Sequence, residues 1–123
     1  MFNYEENIAD QESLHSSDIM ISDWSGAALD YAFGLSKPVL FIDVPRKINN
    51  PDYKEIDVEP IEIFIRGKIG DVIKLDEISN INKTIEKVSK VKIDKEKLTK
   101  HVFKLQTSSF YGCEKLKEIL NEK

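Results

Sequence analysis

The chain has 123 residues, 41% of them apolar and 33% charged, with a net charge of −4. That length suits one domain, and the composition is that of a globular chain rather than a disordered one. The acidic balance gives no general reason to expect nucleic-acid binding. The lone cysteine, Cys113, excludes an internal disulfide and a cysteine-rich zinc site.

No run approaches the roughly 20 apolar residues that span a bilayer. The first ten residues carry two Glu and no Lys or Arg, unlike a secretory leader, so a cytoplasmic location is expected. Charge is unevenly spread: residues 1–76 hold 7 Lys/Arg against 15 Asp/Glu, and residues 77–123 hold 11 Lys against 7 Asp/Glu. The basic C-terminal third is expected to be solvated helix faces, with peripheral contact to an anionic membrane leaflet as the sharper alternative.

In chain order, Phe2-Asn3-Tyr4 has the look of a strand tail, and residues 10–17 that of a short helix capped by Asp10 and anchored by Leu14. Ile19-Met20-Ile21 suits a short buried strand. Residues 25–35 carry apolar side chains at 28, 29, 32 and 33, a helical spacing. Gly34 marks the expected end of that helix, and Pro38 blocks its continuation. Val39 to Ile42 gives a second buried strand, and the two strands with their helix form a βαβ unit in a parallel sheet. Residues 44–60 form a polar loop with three prolines, long enough to suggest function. Ile61 to Ile65 alternates weakly, as a strand would, and residues 71–75 suit another strand. Three helices follow, with apolar stripes Ile78/Ile81/Ile85/Val88, Leu98/Val102/Leu105 (beginning near Asp94) and Phe110/Cys113/Leu116/Leu120. Cys113 is expected as a packed thiol within the last stripe.

The chemistry centres on residues 22–26. Ligands of open parallel sheets bind beyond the carboxyl ends of the strands, and this stretch lies at such an end while opening a helix. The first backbone N–H groups of a helix lack internal partners, and with the helix dipole they favour an anion. Ser25 can cap the helix or donate its hydroxyl to a phosphate oxygen. Gly26 allows close approach to the backbone, and Ala27 keeps the entrance small. Asp30, further along the helix, can accept hydrogen bonds from two ribose hydroxyls. Asp23 can orient the turn or face the ligand, and Trp24 can act as a wedge or as a stacking platform. Arg46, Lys47 and Arg66 can neutralise phosphates if their segments fold over the turn. The competing reading is a βα turn whose Ser, Asp and Gly serve capping alone. His15 and His101 have no metal-ligand partners at helical spacing, and no metal is expected.

The stretch SDIMISDWSGAALDYAFGLSKPVLF, residues 17–41, resembles the C-terminal half of the CDP-glycerol:poly(glycerophosphate) glycerophosphotransferases, which build teichoic-acid and related polymers. The shared pattern is an apolar strand, an Asp-aromatic-Ser turn (Asp23-Trp24-Ser25-Gly26), an acidic helix residue (Asp30) and a Lys37-Pro38 turn into a second strand. Here Gly26 and Trp24 stand where the family pattern has Ser and Tyr. More broadly, the stretch is similar to the nucleotide-binding half of GT-B glycosyltransferases. The resemblance covers residues 10–45.

It implies an α/β, Rossmann-like parallel sheet with flanking helices and a helical C-terminus, forming a single partial donor-binding domain over residues 1–123. It also implies that the chain is a fragment of a longer transferase. The pyrophosphate of CDP-glycerol, or of a nucleotide-sugar, would sit at Ser25, Gly26 and Ala27, and its ribose at Asp30. Asp23, Trp24, Arg46 and Lys47 would be accessory, and no cofactor beyond the donor is implied. The polymer acceptor would be held by an N-terminal half outside this chain. The family's catalytic histidines would lie upstream, and neither His15 nor His101 sits at a matching motif. A non-enzymatic α/β interaction module and a homodimer formed through an exposed apolar face are the alternatives.

Overall fold

The structure, a computed structural model, describes residues 4, 11–46, 48–100 and 107–121. These fall into two compact units, one ending at Ile93 and the other beginning at Asp94. The first contains α1 (Glu12–Ser16), β1 (Met20–Ser22), α2 (Ala27–Leu35), β2 (Val39–Asp43), α3 (Ile61–Ile69), β3 (Gly70–Lys74) and α4 (Ile81–Val88). Tight 3-10 turns occupy Tyr53–Glu55 and Leu75–Asn80.

The three strands form one parallel sheet in the order β1-β2-β3. Met20 stands opposite Val39, and Val39 opposite Gly70. The class is therefore α/β, with β1-α2-β2 as the expected βαβ unit and β2-α3-β3 as a second.

Alternation along β2 sends its side chains to both faces. Leu40 and Ile42 join Ile73 of β3 and pack against Ile81, Ile85 and Val88 of α4, with Ile19 at the margin. Phe41, on the opposite face, lines a small cavity together with Leu29 of α2 and Ile65 of α3. Leu40, Ile65, Ile69, Val39 and Val88 are fully buried, and burying each such side chain stabilises the fold by about 1.5–3 kcal/mol. Gly70 is the tightest point of the sheet: a Cβ there would lie 1.6 Å from the carbonyl oxygen of Val39. Its φ of 169° is ordinary extended backbone, so space rather than conformation requires glycine.

Two expected elements change. The segment beginning at Ile61 is helical. Ile61, Ile65 and Ile69 recur every fourth residue, and Ile65, Arg66 and Ile69 are buried along that face. Pro60 sits at the N-cap of α3, where its missing N–H costs nothing. Helix α2 runs through Gly34 to Leu35. Ser36, not glycine, takes the left-handed conformation (φ 56°) and donates its N–H to Ala32 O. Pro38 then prevents continuation.

In the second unit, α5 (Lys95–Thr99) opens at Asp94, whose carboxylate accepts the Lys97 N–H at 3.1 Å. α6 (Ser108–Asn121) leaves Phe110, Leu116 and Leu120 exposed, and Cys113 is an exposed free thiol rather than a packed one. Tyr4 is exposed and in no strand. Phe2, Asn3, Asp10, Lys47, His101, Val102 and Leu105 lie outside the described residues. Among the described residues no helix is long and apolar enough to cross a membrane.

Candidate functional site

The carboxyl ends of β1 and β2 carry the turn at residues 22–26 and the start of the loop at residues 44–60, and α3 closes the same corner. Within the turn, the Ser25 N–H donates to Asp23 Oδ1 at 3.0 Å, and the Ala27 N–H donates to Ser25 Oγ at 3.3 Å. The Ala28 N–H reaches Ser25 O and the Leu29 N–H reaches Gly26 O. Three of the first α2 amides are thus bonded within the chain. Among the described residues the Gly26 N–H has no partner. Gly26 has helical dihedrals and open space where a Cβ would stand, so no packing constraint within the chain requires a glycine there.

Trp24 knits the corner together. Its Nε1–H donates to Val44 O at 2.8 Å, and the Arg66 guanidinium lies 4.0 Å from its ring centroid. Arg46 lies over the same ring at 5.3 Å. Both contacts are cation–π distances. The half-buried indole is a wedge between turn, strand end and α3. Arg66 is 5% exposed and donates through Nη1 to Asp43 Oδ1 at 3.0 Å. Its Nε and Nη2 are buried without a hydrogen-bond partner, an expensive state for a charged group unless something at the site repays it.

A separate groove of about 470 Å³ runs between α1 and α2, lined by Gln11, Leu14, His15, Ala27, Asp30 and Tyr31, with Gly34 and Leu35 at its end. Its walls are fixed by polar ties. The buried Tyr31 hydroxyl donates to Ser17 O at 3.1 Å, and Lys37 Nζ donates to the carbonyls of His15 and Ser17 at 2.7 and 2.6 Å. Lys37 thereby satisfies carbonyls at the C-terminus of α1. Gln11, at the mouth, adopts a left-handed backbone (φ 48°). Such a conformation costs a non-glycine residue about 1–2 kcal/mol. Asp30 is exposed in this groove, so no burial cost attaches to its carboxylate.

The structure therefore divides the expected site residues into two groups. Asp23, Trp24 and Ser25 gather with Arg66 and Glu62 around a cavity of about 10 Å³, with Arg46 over the indole. Ala27 and Asp30 face the α1/α2 groove. Gln11 carried no sequence signal. The burial of Arg66 was not read from the sequence, where the strand-like segment ended at Ile65; in the helix, Arg66 is buried with Ile65 and Ile69. Among the described residues, no cluster of three His, Cys, Asp or Glu side chains is placed to hold a metal ion. No family model matches the chain, and neither a curated protein nor a solved structure matches it.

Proposed function

We propose that this chain binds a nucleotide-linked donor and serves as the donor-side part of a transferase of the glycerophosphotransferase or GT-B glycosyltransferase kind. The supporting observation is that Ala27, the first residue of α2, and Asp30 line one groove of about 470 Å³. That volume lies within the usual range for small-molecule sites. A ligand with its phosphates at the front of α2 then has its ribose beside a carboxylate. Asp30 accepts hydrogen bonds from both ribose hydroxyls, and Gln11 faces the same space. At the helix front the Gly26 N–H and the helix dipole attract the phosphates, and the Ser25 hydroxyl can turn to donate.

In the glycerophosphate case, an acceptor hydroxyl attacks the phosphorus bearing glycerol and CMP leaves. In the sugar case, attack falls on the anomeric carbon and the nucleoside diphosphate leaves. Either reaction draws on positioning and charge stabilisation by residues such as Arg46.

Titration calorimetry with CMP, CDP, CDP-glycerol and 2′-deoxy-CMP tests the reading. The expected result is weaker binding of the deoxynucleotide, with Asp30→Ala erasing the difference. No heat at millimolar nucleotide, with folding confirmed by circular dichroism, overturns it. One observation favours the alternative of a non-catalytic interaction module: Asp23 and Ser25 already hold two turn amides. On that reading Ser25→Ala costs about 1 kcal/mol of stability as a lost cap and leaves nucleotide binding unchanged.

A further inference from the structure

Within the loop at residues 44–60, Ile48, Ile56 and Val58 are 57, 59 and 73% exposed. Aliphatic side chains exposed singly are ordinary, whereas a group of them marks a surface that another molecule covers. These three line one depression of about 410 Å³, with Pro60 and Ile63 beside them. Short-range bonds hold the segment in this shape. The Glu55 N–H donates to Asp52 O at 2.9 Å, the Ile56 N–H to Tyr53 O at 3.3 Å and the Val58 N–H to Ile56 O at 2.8 Å. Ile56 and Val58 are therefore held outward by a backbone already tied to itself, which lowers the entropic cost of docking against them. The depression shares no lining residue with the groove that holds Asp30, so an occupant here is independent of the proposed donor site.

Charge narrows the occupant. Residues 46–62 hold Asp52, Glu55, Asp57, Glu59 and Glu62 against Arg46, Lys47 and Lys54. The carboxylates gather where the aliphatics are. Glu55, Asp57 and Glu59 alternate with Ile56 and Val58, and Asp57 and Glu59 line the depression itself. The two cations that also line it are drawn over rings, Arg46 over Trp24 at 5.3 Å and Lys54 over Tyr53 at 6.0 Å. Those rings are covered, so the free apolar surface is aliphatic. An anionic membrane leaflet is repelled by such a rim. A second copy presenting the same face sets carboxylate against carboxylate. A protein segment with Lys or Arg between aliphatic side chains matches both features at once.

We propose that this acidic, aliphatic face docks a basic, aliphatic segment of a partner protein. The partner's aliphatic side chains enter the depression against Ile48, Ile56 and Val58. Its cations meet Glu55, Asp57 and Glu59, whose charge selects the partner and fixes its register.

Two-dimensional NMR of the 15N-labelled chain tests this, read at the amides of Ile56, Val58 and Ile63. The probes are the synthetic peptides Lys-Leu-Lys-Ile-Lys-Val-Lys, Lys-Ser-Lys-Ser-Lys-Ser-Lys and Glu-Leu-Glu-Ile-Glu-Val-Glu, and phosphatidylglycerol vesicles. The first peptide is expected to shift all three amides. The Lys/Ser peptide should bind at least about tenfold more weakly, the effect of losing buried aliphatic surface. The Glu peptide and the vesicles should leave the amides unmoved, as should dilution of the chain alone. Ile56→Ser and Val58→Ser, both at exposed positions, should each weaken the first peptide about tenfold with the fold intact by circular dichroism. Asp57→Asn with Glu59→Gln should weaken it at low salt, with the difference fading as salt is added. Equal binding of the Lys/Ser peptide overturns the aliphatic anchors, and equal binding of the Glu peptide overturns the charge selection. Shifts caused by the vesicles, or by concentrating the chain alone, make a lipid surface or a second copy the occupant and overturn the proposal. So does a first peptide that moves none of the three amides.

Discussion

Arg66 occupies the centre of the candidate site, and its energetics can be tested apart from any ligand. Replacing it with methionine removes one charge-assisted hydrogen bond to Asp43, worth about 1.5–3 kcal/mol. It also removes cation–π contacts with Trp24 at 4.0 Å and Phe41 at 5.1 Å, worth about 0.5–2 kcal/mol each. Against these losses, two buried donors that lack partners disappear, and each costs about 1–3 kcal/mol to bury. The sums nearly cancel. The Asp43 side chain is 42% exposed and rehydrates once released. Methionine keeps an aliphatic stem and a polarizable sulfur beside the indole. Arg66→Met is therefore expected to unfold within about 1 kcal/mol of the native chain. Asp43→Asn, which leaves the guanidinium charge without its counter-ion, should cost about 1–3 kcal/mol. Urea unfolding followed by fluorescence is direct, because Trp24 is the sole tryptophan. A loss of about 3 kcal/mol or more in Arg66→Met, the cost of breaking a well-compensated buried pair, refutes the balance. A near-neutral result means that the arginine is retained for something other than stability.

Gly70→Ala places a Cβ 1.6 Å from Val39 O. A C···O contact needs roughly 3.3 Å, so β3 must shift by roughly 1.7 Å or unpair. A loss of about 3 kcal/mol in urea unfolding is expected, at the upper end of overpacking costs. Tyr31→Phe removes the buried hydroxyl that bonds Ser17; it should cost about 1 kcal/mol and raise amide exchange in α1, seen by hydrogen exchange. The hydrogen bond from Lys87 Nζ, with that from the Val72 N–H, holds the Asp71 carboxyl below its ordinary value of 3.8. The folded chain thus binds this proton less readily than the unfolded one. Its stabilisation is complete above the unfolded pKa near about 4 and is lost as pH falls through the folded pKa. Because the Lys87 side chain is 72% exposed, the effect is at most about 1 kcal/mol, and Asp71→Asn should flatten the acid limb of stability against pH by that amount. Asp23→Asn keeps an oxygen for the Ser25 N–H but removes a negative charge beside the proposed phosphate position. CMP affinity should rise about fivefold at low salt, matching about 1 kcal/mol of repulsion at 4 Å in water, with the gain fading as salt is added.

The parallel sheet was legible because its strands are short apolar runs bounded by turn residues. Ile19-Met20-Ile21 and residues 39–42 are too short for helices, and the segment between them has helical spacing. Residues 61–69 were less legible. Ile61, Ile63 and Ile65 satisfy a two-residue period over five positions, and only the wider window to Ile69 reveals the four-residue recurrence that the burial pattern follows. Asp94 announced its helix by capping chemistry that acts over three residues. Gly34 did not announce the end of α2, because the helix runs on to Leu35 and Ser36 takes the left-handed turn. Among the site residues, Ser25, Ala27 and Asp30 could be singled out from local spacing. The contact of Trp24 with Arg66, and the groove shared by Asp30 and Gln11, bring together residues 42 and 19 positions apart, which no local pattern encodes.

The arrangement of the turn also bears on how tightly such a site can bind. Unpaired amides at a helix front were the sequence's strongest invitation to an anion, yet the Ser25 amide already meets a carboxylate oxygen at 3.0 Å. That contact shows the turn shaped to present an N–H to a negatively charged oxygen. On the proposed reading, a phosphate there competes with Asp23 instead of entering free space. Binding becomes an exchange of one anion for another at that amide. Its free energy is the difference between two charge-assisted hydrogen bonds, each worth about 1.5–3 kcal/mol, rather than the full worth of one. On the proposed reading, the surplus comes from groups not already engaged, the Gly26 N–H at the helix front and the exposed Asp30 carboxylate in the α1/α2 groove. A donor that reached only the turn would gain little. On the proposed reading, a donor that reaches from the turn to Asp30 gains from both, so its length matters as much as its charge.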